Sequence, residues 1–398
     1  MFSECLLGDF LTLKRGYDLP NQDRKVGMVP IVSSSGVTGT HSEAKVKGPG
    51  VVTGRYGTLG EVHYIAEDFW PLNTTLYVCD FKGNDVRFVA YLLKTLDFAS
   101  RSAAAAVPGV NRNDLHRLPV KCPEIDEQRR IASILSAYDD LIENNTRRIA
   151  ILEEMARRIY EEWFVRFRFP GHEDVRIVES ELGLVPDGWI PRSVANVAIV
   201  HRGRSYKSIE LADEGGRPFI NLKCMARDGG YRASGLKRYT GVFKDSQTVR
   251  AGEMVMAITD MTQERRIVAR VGRVSRLDAD FGVVSMDLVR LAARSKMHEV
   301  YLYAMFRWSG FADEVKQHAN GANVLHLLPA RIEEYRFICP PAELMTCFGE
   351  LIAPMLSTCD VLEQKNVNLH TTRDLLLPKL ISGELDVSAI PAPESIAA

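Results

Sequence analysis

The sequence predicts a mixed α/β (α+β) chain in which two related modules are separated by a pair of long antiparallel helices, a coiled coil. Three observations carry this. A set of landmarks recurs in the same order along the 398 residues. Two long stretches place an apolar residue at every third or fourth position, and the segments between them break into short β-rich runs with Gly and Pro turns.

The recurrence decides the architecture. Leu7 to Gly16 aligns with Val194 to Gly203, apolar on apolar, each closing on Arg-Gly, at an offset of 187. Asp68-Phe69 and Leu76-Tyr77-Val78 match Asp280-Phe281 and Leu288-Val289-Arg290 at 212. Leu115 ahead of Cys122-Pro123 matches Ile332 ahead of Cys339-Pro340 at 217. A slowly growing offset is what a duplication with insertions in the second copy produces. The resulting division is 1–120 for the first module, 121–170 for a central long helix, 171–338 for a linker and the second module, and 339–398 for a C-terminal long helix.

Each module opens into strands. Gly50–Thr53, Val62–Ile65 and Thr75–Val78 belong to the first, Glu253–Ile258 and Ile267–Val271 to the second, and each has a short helix late on, around Val86–Leu96 and Met297–Trp308. In the central helix Ile131, Ile134, Tyr138, Leu141, Ile149, Leu152, Met155, Ile159 and Trp163 form the seam, with Asn145 in a polar slot. Asp126 is its expected N-cap and Phe169-Pro170-Gly171 its expected end. In the C-terminal helix Leu344, Phe348, Leu351, Met355, Leu362, Leu369, Leu376 and Leu380 repeat the stripe. Pro354 should kink or divide that helix, and Pro378 with Gly383 should end it. Residues 127–163 span about 55 Å and 355–377 about 35 Å. Helices of that length with a narrow apolar seam need a partner, and antiparallel pairing of the two supplies it.

The net charge of −1 conceals a distribution. Residues 186–338 hold 24 basic against 17 acidic side chains, residues 1–120 hold 13 against 12, and the helical segments are acidic. A basic module can meet an anion while acidic segments meet proteins. No 18 consecutive apolar residues occur, which argues against a membrane span, and the acidic start lacks a secretory pattern. The seven cysteines are scattered without a Cys-x-x-Cys pair, so neither a zinc site nor a disulfide framework is indicated, and the expected location is the cytoplasm.

Catalytic signatures are missing. There is no Walker loop, no dinucleotide fingerprint, no deaminase zinc pattern, no nucleophile elbow and no Asn/Asp-Pro-Pro-aromatic tetrapeptide. Lone histidines such as His63 and His326 read as structural. What the modules offer is loops of cations, amides and hydroxyls. In the first these are Lys14, Arg15, Ser35, Thr38, Arg55, Tyr56, Thr58, Asn73, Thr74, Asn111 and Arg112. In the second they are Arg202, Arg204, Tyr206, Lys207, Asn221, Lys223, Thr259, Thr262, Gln263, Arg265, Arg266, Asn320 and Asn323, with Thr259–Arg266 standing where the first module has its Arg55 loop. Arginine forks onto phosphate or guanine, amides pair with base edges, and glycines let backbone approach a ligand. Three readings stand on this: a DNA reader, an enzyme with unfamiliar motifs, and a protein scaffold whose helices are the working part.

The chain resembles the specificity (S) subunit of type I restriction-modification systems over essentially its whole length. Cys122-Pro123-Glu124-Ile125-Asp126-Glu127-Gln128-Arg129-Arg130-Ile131-Ala132 is similar to the family's P-x-x-E-Q-x-x-I-A lead into its central helix. Leu369 to Leu385, with Arg373-Asp374 and Leu376-Leu377-Pro378-Lys379-Leu380, is similar to the closing R-D-x-L-L-P-K-L-x-S-G signature, and Val185–Trp189 to the start of the second target-recognition domain. The second helix lead, Pro340-Pro341-Ala342-Glu343-Leu344, departs from the Glu-Gln pair. The resemblance implies a non-catalytic subunit whose two target-recognition domains each read half of a bipartite site in double-stranded DNA, with the helices as a ruler. It implies partner contacts at Glu127, Gln128, Ile131, Arg373, Leu376 and Leu377 for two modification (methyltransferase) subunits, joined by restriction subunits. S-adenosylmethionine, ATP and Mg would serve those partners; this chain would hold no cofactor or metal and meet no membrane. A 35 Å separation is about one turn of B-DNA, so modules that far apart could enter successive major grooves.

Overall fold

The computed structural model describes residues 2–98 and 109–390; the remainder of the ranges 1–120 and 339–398 lies outside the described residues. The chain divides into two compact units, 1–144 with 365–398, and 145–364.

The first unit is built on a sheet in which β2 (Thr12–Arg15), β8 (Thr75–Asp80), β5 (Gly50–Gly54) and β6 (Val62–Ile65) lie side by side in that order. A second sheet joins β4 (Gly36–His41), β3 (Val29–Ser33) and β7 (Trp70–Pro71), with β3 and β7 parallel. The neck closes where β1 (Ser3–Leu6) pairs antiparallel with β9 (Pro119–Cys122). The helix Val86–Lys94 covers the first sheet, capped by the Asp85 carboxylate, which accepts from Phe88 N–H at 2.8 Å. Its buried face, Phe88 to Leu93, shares a core with Leu7, Leu13, Val51 and Val78, and with Ile131, Leu135, Leu380 and Ile381 of the long helices.

The second unit begins with a hairpin of β10 (Ile177–Ser180) and β11 (Gly183–Pro186). It then repeats the scheme. The neck is β12 (Ile190–Ser193) on β24 (Arg336–Cys339). The main sheet runs β13 (Ala198–Arg202), β22 (Leu288–Ala293), β18 (Met254–Ala257), β20 (Val271–Arg273). The second sheet runs β14 (Leu211–Ala212), β16 (Lys237–Tyr239), β15 (Arg217–Ile220), β21 (Gly282–Val284), β17 (Thr248–Val249), with β15 and β21 parallel, and β19 (Thr259–Asp260) pairs with β23 (Leu325–His326). The main sheets agree strand for strand, and the second sheet keeps the parallel pair with its antiparallel neighbour while gaining β14 and β17, so the repeat in the sequence is a repeat of fold. The shared Arg-Gly has a steric cause. A Cβ on Gly16 would lie 2.2 Å from the Leu72 carbonyl oxygen, and one on Gly203 would lie 2.0 Å from that of Ser285.

The central helix is Ile125–Tyr160 and the C-terminal helix Ala342–Ser382. In the first unit Asn366 Nδ2 donates to the Ile142 carbonyl (3.4 Å) and Arg373 pairs with Asp139 (2.5 Å). In the second, Cys359 Sγ donates to the Ile149 carbonyl (4.0 Å) and the Tyr160 ring meets Phe348 (6.2 Å). Numbers fall along one helix as they rise along the other, so the pairing is antiparallel in each unit.

Several expectations need correction. The central helix begins at Ile125, with the Glu124 carbonyl accepting from Glu127 and Gln128 N–H, rather than being capped by Asp126. It ends its regular course at Tyr160 and passes into a wider turn, Glu161–Val165, ahead of Phe169. An aromatic cluster accompanies that turn: Phe164 packs on Tyr301 (4.8 Å) and Phe348 (5.0 Å). Leu141, Met155 and Leu351 of the stripes point outward, while Leu135, Ala156 and Tyr160 point in. An α-helix drifts about 20° per heptad from a 3.5 repeat, and each module's core claims its own arc. Pro354 does not divide the C-terminal helix, which runs unbroken through it with the proline on the exposed side. Pro378, expected to share in ending the helix, lies within it, and Gly383, in the left-handed region (φ 75°), ends it as anticipated.

By length and composition this helix would suffice to cross a bilayer, although it holds no unbroken apolar run of that length. Its buried Phe348, Ile352 and Leu356 belong to the core of the second unit. A disulfide joins Cys5 to Cys122, which their separation of 117 positions concealed. In the second module the equivalent positions are Arg192 and Cys339, and Cys339 is a free thiol.

Candidate nucleic-acid interface

Strands β2 and β5 both run antiparallel to β8 between them, so their C-terminal ends, Arg15 and Gly54, emerge at one edge of the sheet. The chain leaving β5 is held there by backbone bonds: Arg55 and Tyr56 N–H donate to the Thr74 carbonyl (2.9 and 3.1 Å), and Val110 N–H donates to the Arg55 carbonyl (3.0 Å). A cleft of about 550 Å³ results, lined by Arg15, Arg55, Tyr56, Leu76, Gly109, Val110, Asn111 and Arg112. Five of the residues singled out in the sequence thus meet in one place.

The Arg55 guanidinium lies over the Tyr56 ring at 4.6 Å, leaving a flat cation beside an exposed aromatic edge. Asn111 caps the short helix Arg112–His116 by accepting from Asn113 N–H (3.0 Å). His116 Nε2 accepts from Leu13 N–H at 2.9 Å, fixing that helix to β2. Burial, then the charges of Arg112 and Lys82, hold its pKa below the ordinary histidine value. Asp18, absent from the sequence candidates, organises two of them: Arg15 lies 4.0 Å from its carboxylate and Asn73 donates to the same oxygen. Ser35, Thr38 and Thr58 are exposed, and Ser34 of the β3–β4 turn stands beside Gly54 and Gly57. Lys14 is displaced from the cleft, over the Tyr17 ring (5.9 Å).

The second module repeats this edge with β13 and β18 flanking β22. Leu327 N–H donates to the Ile258 carbonyl (2.8 Å), as Val110 does to Arg55. The chain leaving β18 is longer here and carries Thr262, Gln263, Arg265 and Arg266. Gln263 Nε2 donates to the carbonyls of Gly321 (3.3 Å) and Ala322 (3.1 Å), which brings in the segment of Asn320 and Asn323. Arg265 donates to Gln317 Oε1 (3.0 Å), and the exposed Arg266 pairs with Glu264 (2.6 Å). A second group gathers around Tyr239: Arg204 Nε donates to its hydroxyl (3.3 Å), which donates to Glu210 (3.3 Å), while Tyr206 packs on Phe219 (4.8 Å). Arg202, Lys207 and Lys223 are exposed.

Two candidates lie inside. Asn221, 7% exposed, donates to the Gly235 carbonyl (2.8 Å) and accepts from Lys223 N–H (2.9 Å), and Thr259, 3% exposed, is a rung of the β19–β23 pair. Neither faces a ligand. The partner residues are also largely internal. Gln128, 2% exposed, donates to Asn84 Oδ1 (2.8 Å) and the Pro123 carbonyl (2.9 Å) and accepts from Asp85 N–H (2.9 Å). Ile131 is in the core, Leu376 and Leu377 pack against it half-buried, Glu127 is half-buried, and Arg373 is held by Asp139 and Asp374. Sequence reasoning also passed over Asp260, whose carboxylate gathers the loop 261–266. Its one signal was an Asp two places before a Thr after an apolar run.

Residues 3–154 match the model of the type I restriction modification DNA specificity domain. The chain is 25% identical over 317 residues to the type I restriction enzyme MjaIX specificity subunit of Methanocaldococcus jannaschii, covering 76% of this chain and 70% of the relative. It is 22% identical over 157 residues to the EcoprrI specificity subunit of Escherichia coli, covering 38% and 39%. Its fold is that of the type I restriction-modification S subunit from M. genitalium, with a TM-score of 0.63 at 15% identity over 96% of both chains. The specificity-domain model thus covers the first module and part of the central helix, and the chain is similar over most of its length to a specificity subunit of a type I restriction enzyme.

Proposed function

We propose that this chain is a type I restriction-modification specificity subunit that reads a bipartite DNA site, one half-site at the β2/β5 edge of the first module and the other at the β13/β18 edge of the second, and catalyses nothing itself. The observation that carries this is the repeated edge: two sheets of one topology, each sending cation- and amide-bearing loops out at the same end. Arginine over tyrosine, exposed amides and backbone glycines suit base edges and phosphates.

The finer assembly is part of the same proposal. Two modification subunits dock on the long helices, restriction subunits join them, and S-adenosylmethionine, ATP and Mg serve those partners in the cytoplasm. Since Gln128 and Ile131 face inward, the docking surface falls on side chains the helices leave exposed, such as Leu375 (64%) in the first unit and Met155 and Leu351 in the second. The helices set the gap between half-sites. Mapping methylated adenines in cells with and without this subunit tests the whole: two short half-sites at a fixed spacing are expected, and an unchanged methylation pattern with active partners present would overturn it.

A further inference from the structure

Among the residues around the two reading edges, Asp260 has the most unusual setting. It is the last residue of β19, facing Leu325 across the pair, and is 1% exposed. One carboxylate oxygen accepts from Thr262 N–H and from the Thr262 hydroxyl, both at 2.9 Å. The other accepts from Ile267 N–H (2.8 Å) and Val268 N–H (3.4 Å). A single side chain therefore ties the start of the loop 261–266 to its end. Within and just beyond it, Arg265 and Ala269 take left-handed backbone conformations (φ 53° and 64°), which persist only where the surroundings over-determine them. Burial works to raise the Asp260 pKa, but the N–H and hydroxyl donors outweigh it and hold the carboxyl below its ordinary value.

We propose that Asp260 is the positioning residue of the second base-reading loop: it touches no DNA, and it sets discrimination at the second half-site by clamping the loop that carries Thr262, Gln263 and Arg266. This rests on the function proposed above. The first module has no counterpart. By the matching bonds of Val110 to Arg55 and Leu327 to Ile258, the residue equivalent to Asp260 is Gly57, in a shorter exit. The effect therefore belongs to one half-site only.

The test uses the full chain bound to its modification subunit and duplex pools randomised over one half-site with the other held constant. Asp260→Asn keeps size but turns an amide NH₂ toward donors it cannot accept from. Its preference among second half-sites should fall roughly tenfold or more, as when a well-placed base pairing is removed, with preference at the first half-site unchanged even though the donors left unpaired lower the melting temperature. Amide exchange at Ile267 and Val268 should quicken in step, and Asp260→Ser, which retains one acceptor oxygen, should fall between. Undiminished second-half-site preference overturns the proposal, and so does an equal loss at both half-sites accompanied by lower melting. Gln263→Ala with Arg266→Ala separates the levels. If that pair leaves second-half-site preference intact, the loop is no reader and the proposed function of this edge fails. If the pair abolishes the preference and Asp260→Asn does not, only the positioning role fails.

Discussion

Gln128 separates two accounts of the Glu-Gln motif at the start of the central helix, a partner contact or an internal brace, and Gln128→Met decides between them. The side chain makes three hydrogen bonds, to Asn84 Oδ1, to the Pro123 carbonyl and from Asp85 N–H. Asn84 in turn donates to the carbonyls of Phe10 (2.7 Å) and Phe81 (3.1 Å), so Gln128 is the hub joining the helix start, the Val86–Lys94 cap and the chain at Phe10 and just after β8. Methionine fills the space and leaves three polar groups without partners. At about 1–3 kcal/mol for each group left unsatisfied, and allowing Asn84 to turn outward, the cost is about 3 kcal/mol. For a unit of this size that lowers its melting by about 6–12 °C. Differential scanning calorimetry of the full chain reads the shift, and faster amide exchange at Asp85 and Phe88 locates it. Unchanged melting, with the modification subunit no longer co-purifying, would refute the brace and restore the partner role.

Arg55→Ala with Arg112→Ala weakens the first half-site and lowers the slope of log affinity against log salt by about 1 for each phosphate no longer neutralised, leaving the second half-site intact; duplex titrations at several ionic strengths measure it. Asp139→Asn removes the charge that holds Arg373 and the Tyr91 hydroxyl and costs about 2 kcal/mol by urea unfolding. Burial alone would raise the Asp139 pKa, but Tyr91, Arg373 and Lys94 hold it below the ordinary value, so its contribution is complete above the usual carboxylate range and is lost as pH falls below it. Glu363 runs the other way: burial, then Asp360 and Glu153, push it up to about 7, so folding loses stability as pH rises from the ordinary carboxylate value through 7, and Glu363→Gln should raise melting at pH 8 but not at pH 5.

The duplication was legible because it preserves order, and because Gly16 and Gly203 each sit where backbone leaves no room for a Cβ. The helices were legible from periodicity, down to the cap at Gly383. Their facing was less so: Leu141 and Leu351 satisfy a 3.5 repeat on paper and point outward, because each end of each helix answers to a module core. At the proposed reading edge of the first module, residue type marked Arg55, Asn111 and Arg112, which the cleft gathers. It could not distinguish them from Asn221, whose amide is consumed by Gly235 and Lys223, because an amide that reads a base and one that braces a turn are the same group. Cys5 and Cys122 were opaque for a different reason, since only the β1–β9 register makes neighbours of them.

The first unit is discontinuous: its core contains Leu380, Ile381 and Val387, and Lys121 Nζ donates to the Ser382 carbonyl at 2.9 Å. During synthesis the first module therefore emerges early but waits for residues 380–387 to seal it, whereas the second unit, 145–364, is contiguous and needs none of them. A chain cut short before residue 380 would carry a finished second module beside an unsealed first one.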